Sequence, residues 1–128
     1  ATLARLQTDY LDLYQLHSPS IEDLNSGEDI KQVLNDLYSE GKIRAFGVSS
    51  RSPSEGFTSI SEHGFHSIQV NFNLIDQRAL EVGLFDLSSQ EDSGVIGRTP
   101  LCFGFLSGNF QPGANFNDQA LLFFQMIT

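Results

Sequence analysis

The chain has 128 residues, 40% of them hydrophobic, with 11 Phe, no Trp and a formal net charge of −9 from 7 Lys plus Arg against 16 Asp plus Glu. That is one domain's worth of sequence with enough apolar side chain for a core, which argues against intrinsic disorder. A surface this acidic repels phosphate backbones and anionic lipid, so no nucleic-acid and no membrane partner is expected. The single Cys102 cannot form an internal disulfide and suits a reducing cytoplasm; no Cys/His cluster has zinc-ligand spacing, so no metal is expected. No apolar run approaches the roughly 20 residues that cross a bilayer.

In chain order, Leu3 and Leu6 sit at helical spacing in residues 1–7. These read as the last turns of a helix with no cap of its own, so sequence is expected upstream. Y-L-D-L-Y-Q-L-H-S-P (10–19) is a short apolar run stopped by a histidine and a proline. It reads as a buried strand whose C-terminal end delivers His17 to a rim. Residues 18–27, rich in Ser, Asn and acidic side chains, read as a loop. Ile30, Val33, Leu34, Leu37 and Tyr38 then mark one face of an amphipathic helix over 28–40, and Gly41 stops it. K-I-R-A-F-G-V (42–48) is the next strand. Ser52 is a fair N-cap for a helix that Pro53 opens and that runs to about His63. S-I-Q-V-N-F (67–72) is a third strand, 77–90 a helix apolar at Leu80, Leu84, Phe85 and Leu87, and G-V-I-G (94–97) a fourth strand. Arg98-Thr99-Pro100-Leu101 breaks that strand, a glycine-bearing loop spans Gly104 to Asn109, and the tail from Gln111 is loop-like before turning apolar at 121–124.

The predicted order is β-α-β-α-β-α-β. Strands joined by crossover helices lie parallel, and parallel sheets are buried on both faces, in keeping with strands that read as nearly continuous apolar runs. The fold class is α/β. Periodicity leaves open a doubly wound sheet and part of an eight-stranded barrel. No G-x-G-x-x-G follows the first strand, which counts against a dinucleotide-binding Rossmann domain.

Taken singly, the chemistry-bearing residues have plain readings. His17 is a histidine at a strand end, Ser49 to Ser52 a capping cluster, Arg98 a surface charge, and Gly104 to Gly108 a common glycine loop. His63 and His66 flank a turn glycine. Cys102 reads as a buried small hydrophobe with no base placed to activate it.

Four collinear motifs change that balance: L-Q-T-D-Y-L-D-L-Y-Q-L-H-S-P (6–19), G-K-I-R-A-F-G-V-S-S (41–50), I-Q-V-N-F-N-L (68–74) and G-V-I-G-R-T-P-L-C-F-G-F-L-S-G (94–108). In this order the chain resembles the aldo-keto reductase family, NADPH-linked oxidoreductases built on a (β/α)8 TIM barrel. The resemblance implies that residues 1–128 are a single partial domain carrying about the fourth to seventh strands. A full barrel takes about 250 residues, so strands one to three and strand eight are expected outside this chain. So are the family's catalytic Asp, Tyr and Lys, which come from the second and third strands.

Matched residue by residue, His17 corresponds to the family's active-site histidine, which orients the substrate carbonyl. Ser49 and Ser50 correspond to a serine–asparagine pair on the nicotinamide carboxamide, Ser50 being shorter than the usual asparagine, and Gln69 joins them. Arg98 stands where a side chain packs on the nicotinamide ring. Thr99 and Leu101 correspond to a pyrophosphate cradle, and Gly104, Ser107 and Asn109 to a phosphate loop in which Asn109 replaces a frequent lysine. His17, Ser49, Ser50, Gln69 and Arg98 would converge on the rim at the C-terminal strand ends, where parallel barrels hold their chemistry. The implied function is a segment of an NAD(P)H-dependent enzyme reducing aldehydes or ketones, small carbonyl compounds, with NADPH as the expected cofactor and NADH not excluded. The segment by itself is expected to be inactive. The alternative is a non-catalytic interaction module that self-associates through open barrel edges.

Overall fold

The computed structural model describes residues 2–109, and the expected apolar stretch at 121–124 lies outside the described residues. Four parallel strands form one sheet in the order β1-β2-β3-β4: β1 (Tyr14–His17), β2 (Phe46–Ser49), β3 (Ser67–Asn71) and β4 (Gly94–Arg98). The intervening helices are α2 (Ile21–Ser26), α3 (Glu28–Ser39), α4 (Pro53–Ser61), α5 (Arg78–Glu81) and α6 (Leu84–Gln90), with α1 (Thr2–Leu6) ahead of β1. This is the α/β class with neighbouring strands paired in sequence order.

Register assigns each strand residue to a face. Leu16, Val48, Ile68 and Val95 pair across the four strands, as do His17, Ser49, Gln69 and Ile96 one residue further on. Because side chains alternate along a strand, the first row faces the helices and the second row faces away. The helix side holds the core: Val48, Ile68 and Val70 are buried there with Ile60 and Leu84. Helix α4 lies tight on this face through Gly56, where an added Cβ would stand 2.9 Å from Ile68 Cγ2 and 3.2 Å from Ser50 Oγ.

The opposite face carries Gln15, His17, Gly47, Ser49, Ser67, Gln69, Asn71, Gly94, Ile96 and Arg98, nearly all polar or glycine. The expectation of strands apolar on both faces is therefore corrected. Y-Q-L-H, S-I-Q-V-N and the rest alternate with period two, the pattern of a sheet with one apolar side.

Two further boundaries differ. The stretch 18–27 is not all loop: Ser20 Oγ accepts from the Asp23 amide and Asp23 Oδ2 accepts from the Ser20 amide, each at 3.0 Å, a capping box that starts α2 and turns Leu24 into the core. The single helix expected over 77–90 is two, because Gly83 adopts φ 71° and ends the first turn, leaving Leu80 58% exposed while Leu84 is fully buried. Strand β2 also begins later than position 42, with Ile43 making a separate bridge to Leu11 before the chain bends. Among the described residues no helix is long and apolar enough to cross a membrane.

Candidate active site

The C-terminal ends of the strands assemble the polar face into a site. His17, Ser49 and Gln69 occupy one row on three adjacent strands, roughly 4.8 Å apart from strand to strand. Asn71 and Arg98 pair one row higher. Arg98 reaches from β4 past β3 to β2: Nε donates to Asn71 Oδ1 (2.7 Å), Nη1 to Ser49 Oγ (3.3 Å) and Nη2 to the Ser50 carbonyl (3.0 Å). A half-buried guanidinium thus fastens three strands at the rim, with N–H groups to spare from its five. His17 is exposed at its strand end and is followed by Ser18 at φ 52°, whose amide still donates to the Ser49 carbonyl at 2.8 Å. The Gln69 carboxamide is half-buried and makes no hydrogen bond among the described residues.

Ser50 is placed differently. Its hydroxyl sits on the α4 side, near Gly56, and donates to the Gln69 carbonyl at 3.4 Å, while its amide holds the same carbonyl at 3.0 Å. Its backbone carbonyl, not its side chain, reaches the rim. Thr99 follows Arg98 with φ 55°, its hydroxyl 2.7 Å from the Arg98 carbonyl and 3.1 Å from Asn71 Oδ1. Beyond it, Cys102–Ser107 forms a 3-10 turn. Leu101 is exposed, Ser107 Oγ donates to the Gly104 carbonyl at 2.6 Å, and the Asn109 amide donates to Ser107 Oγ at 3.3 Å. Gly104, Ser107 and Asn109 bond within their own loop and make no hydrogen bond to the rim residues. Cys102 is buried, and burial together with the Asp76 charge pushes its thiol up, away from a reactive thiolate.

Two residues absent from the sequence reading belong to this rim. Asn71 Oδ1 accepts from Arg98 Nε and shares the single Thr99 hydroxyl proton with the Arg98 carbonyl, and the buried Asn73 donates through Nδ2 to the Thr99 carbonyl at 3.1 Å. Both lie in the N-F-N that follows Gln69 in the third motif, and the period-two alternation of β3 puts Asn71 on the face of Gln69. Behind them Arg78 donates to both oxygens of Asp76 (2.9 and 2.8 Å), and these bonds hold the buried Asp76 carboxyl below its usual range.

The site is a shallow polar shelf with an imidazole, a hydroxyl, an unpaired primary amide and a cation. An amide such as a nicotinamide carboxamide offers one acceptor and two donors, which the Ser49 hydroxyl and Gln69 can complement. The unpaired half-buried Gln69 amide is the feature that fits such a group. Among the described residues no three His, Cys, Asp or Glu side chains gather as a metal site would require.

The model of the Aldo/keto reductase family matches residues 1–122. Aldo-keto reductase YhdN of Bacillus subtilis is 37% identical over 107 residues, covering 84% of this chain and 31% of that protein. The holo form of an aldo-keto reductase from Bacillus halodurans superposes with a TM-score of 0.74 at 32% identity, over 91% of this chain and 38% of that one. An aldo/keto reductase of Klebsiella pneumoniae, solved in complex with NADP and acetate, superposes with a TM-score of 0.61 at 27% identity, over 88% of this chain and 40% of that one. The chain spans about a third of the length of the curated relatives it matches. Its four strands correspond to part of a (β/α)8 barrel in the matched structures.

Proposed function

The chain belongs to the aldo/keto reductase family, and from that premise we propose that its polar rim is the nicotinamide half of a carbonyl-reducing site. The observation that carries this reading is the row His17–Ser49–Gln69, capped by Arg98, on the face of the sheet away from the helices, with His17 exposed, Gln69 half-buried and Ser49 buried. Ser49 and Gln69 would hold a nicotinamide carboxamide, Arg98 would lie against the ring, and Thr99 with the loop from Leu101 to Asn109 would face the phosphates. NADPH is the preferred dinucleotide and NADH the alternative. A reduced nicotinamide bound there would supply hydride, and the protein would supply position and field. His17, at the end of the edge strand and exposed, is placed to orient a small aldehyde or ketone oxygen. The family's Asp, Tyr and Lys match no position among these residues, so in this reading the chain binds dinucleotide but does not turn it over by itself. The lone buried cysteine suits a cytoplasmic setting.

Titration of the 128-residue chain into NADPH and NADH, followed by nicotinamide fluorescence, should give saturable binding. Incubation with a panel of aldehydes should leave NADPH unoxidised. Absence of binding to either dinucleotide would overturn the cofactor reading, and robust turnover would overturn the claim that proton transfer lies elsewhere.

A second reading rests on the sheet's edges. Tyr14 on β1 and Ile96 on β4 are each 38% exposed, and a groove of about 290 Å³ lined by Tyr14, Leu16, Val33 and Leu37 flanks β1. In that reading β4 of a second copy extends the parallel sheet at β1. Light scattering on the purified chain discriminates: a defined dimer supports pairing, a monomer across concentrations sinks it.

A further inference from the structure

We propose that Asn71 is a positioning residue, which, with Asn73 behind it, fixes the Arg98–Thr99 corner and so sets the angle at which Arg98 meets a dinucleotide. The inference rests on the nicotinamide reading of the rim for its consequence, though its geometry stands apart from that reading.

Thr99 is the point of departure. A β-branched residue at φ 55° is an outlier that persists only where its surroundings over-determine it. Here they do. The Thr99 hydroxyl lies 3.1 Å from Asn71 Oδ1, and its carbonyl accepts from Asn73 Nδ2 at 3.1 Å and from the Cys102 amide at 2.8 Å. Asn73 cannot turn away, because its Oδ1 accepts from the amides of Ile75 and Asp76, both at 2.9 Å, in a buried turn. The strained corner is therefore held from Asn71 at the end of β3 and from Asn73 in the turn that follows it.

Asn71 adds the functional consequence. The same Oδ1 that meets Thr99 accepts from Arg98 Nε at 2.7 Å, the shortest of the three guanidinium contacts. That bond fixes the guanidinium plane close to the backbone, where an arginine otherwise keeps several rotatable bonds free. The two longer contacts, to Ser49 Oγ and the Ser50 carbonyl, then define how far the plane leans over β3. A neutral acceptor does this without cancelling the positive charge. Asn71 touches no ligand in this account; it works through Arg98.

The test is nitrogen-15 NMR on the whole chain, reading solvent exchange of the Arg98 Nε–H against that of exposed Arg5. Arg98 should exchange at least about tenfold more slowly, the scale of one hydrogen bond to a charged group. Asn71→Ala should abolish that protection, while Asn71→Asp, which keeps the acceptor oxygen, should retain it. Asn71→Ala should also weaken NADPH binding about tenfold, as should Arg98→Met. An Arg98 Nε–H that exchanges as fast as that of Arg5 in the unaltered chain overturns the proposal even if the alanine variant fails to fold. So does an alanine variant with unchanged protection, or with unchanged dinucleotide affinity where the unaltered chain binds. If the unaltered chain binds no dinucleotide, the nicotinamide reading fails and the exchange rates alone decide the positioning role.

Discussion

The helix-covered face of the sheet and its open face lie one residue apart along every strand, and their chemistry is opposite. On β3, Ile68 and Val70 are buried among helices while Ser67, Gln69 and Asn71 carry hydroxyl and amide groups. On β2, Val48 packs inward and Ser49 meets Arg98. The apolar face supplies free energy, and the polar face carries the groups proposed to hold a cofactor. Since a slip of one residue would exchange the two, the apolar row both stabilises the chain and sets the register that brings His17, Ser49 and Gln69 side by side.

If that division is right, substitutions on the two faces should separate into two kinds of effect. The largest loss of stability should follow Ile68→Ala, which empties a fully buried site at the centre of the sheet. A cost of about 2–5 kcal/mol in urea unfolding is expected, and a cost below about 1 kcal/mol would show that this face is not the core. Next comes the ion pair behind the rim. Asp76→Asn should cost about 1.5–3 kcal/mol and flatten the acid limb of the stability profile. The sign follows from the depressed Asp76 carboxyl: its contribution is complete above the ordinary aspartate value of about 3.9 and is lost as pH falls through the lower folded value. An acid limb of unchanged slope in the variant would count against this. Ser52→Ala should cost about 1 kcal/mol, since Ser52 Oγ accepts from the Glu55 amide at the start of α4; thermal unfolding reads it directly. Smallest in stability is Gln69→Ala, expected within about 0.5 kcal/mol as for an unbonded surface-side group. The same change should lower dinucleotide affinity about tenfold, which calorimetry can measure.

How much of this was legible in the sequence depends on the kind of signal. Strand order and parallel pairing could be read from alternating patterns and short connections, and the four motifs located His17, Ser49, Gln69 and Arg98 at strand ends. The polar face was legible as well, in the period-two spelling of S-I-Q-V-N, but a parallel sheet is ordinarily apolar on both sides and that expectation prevailed. The helix α2 had a written signal, Ser20 and Asp23 three apart, too short beside its acidic and polar neighbours to stand out. The break at Gly83 was hidden because Leu80 and Leu84 keep helical spacing across it. Ser50 and Asn71 both follow period-two alternation, one residue past Ser49 and two past Gln69. Ser50 therefore faces α4 and Asn71 the rim; the resemblance, which assigns Ser50 to the cofactor face, outweighs that signal in the sequence reading.

The central claim is that the polar face binds the nicotinamide end of a dinucleotide. It is tested most directly by titrating NADPH, then NADH, into isotope-labelled chain and mapping the resonances that move. Saturable shifts at the Gln69 side-chain amide, the Arg98 Nε–H and the His17 ring, with Val48 and Ile68 methyls largely still, are the predicted result. Shifts confined to the helix side, or none with either dinucleotide, would contradict it.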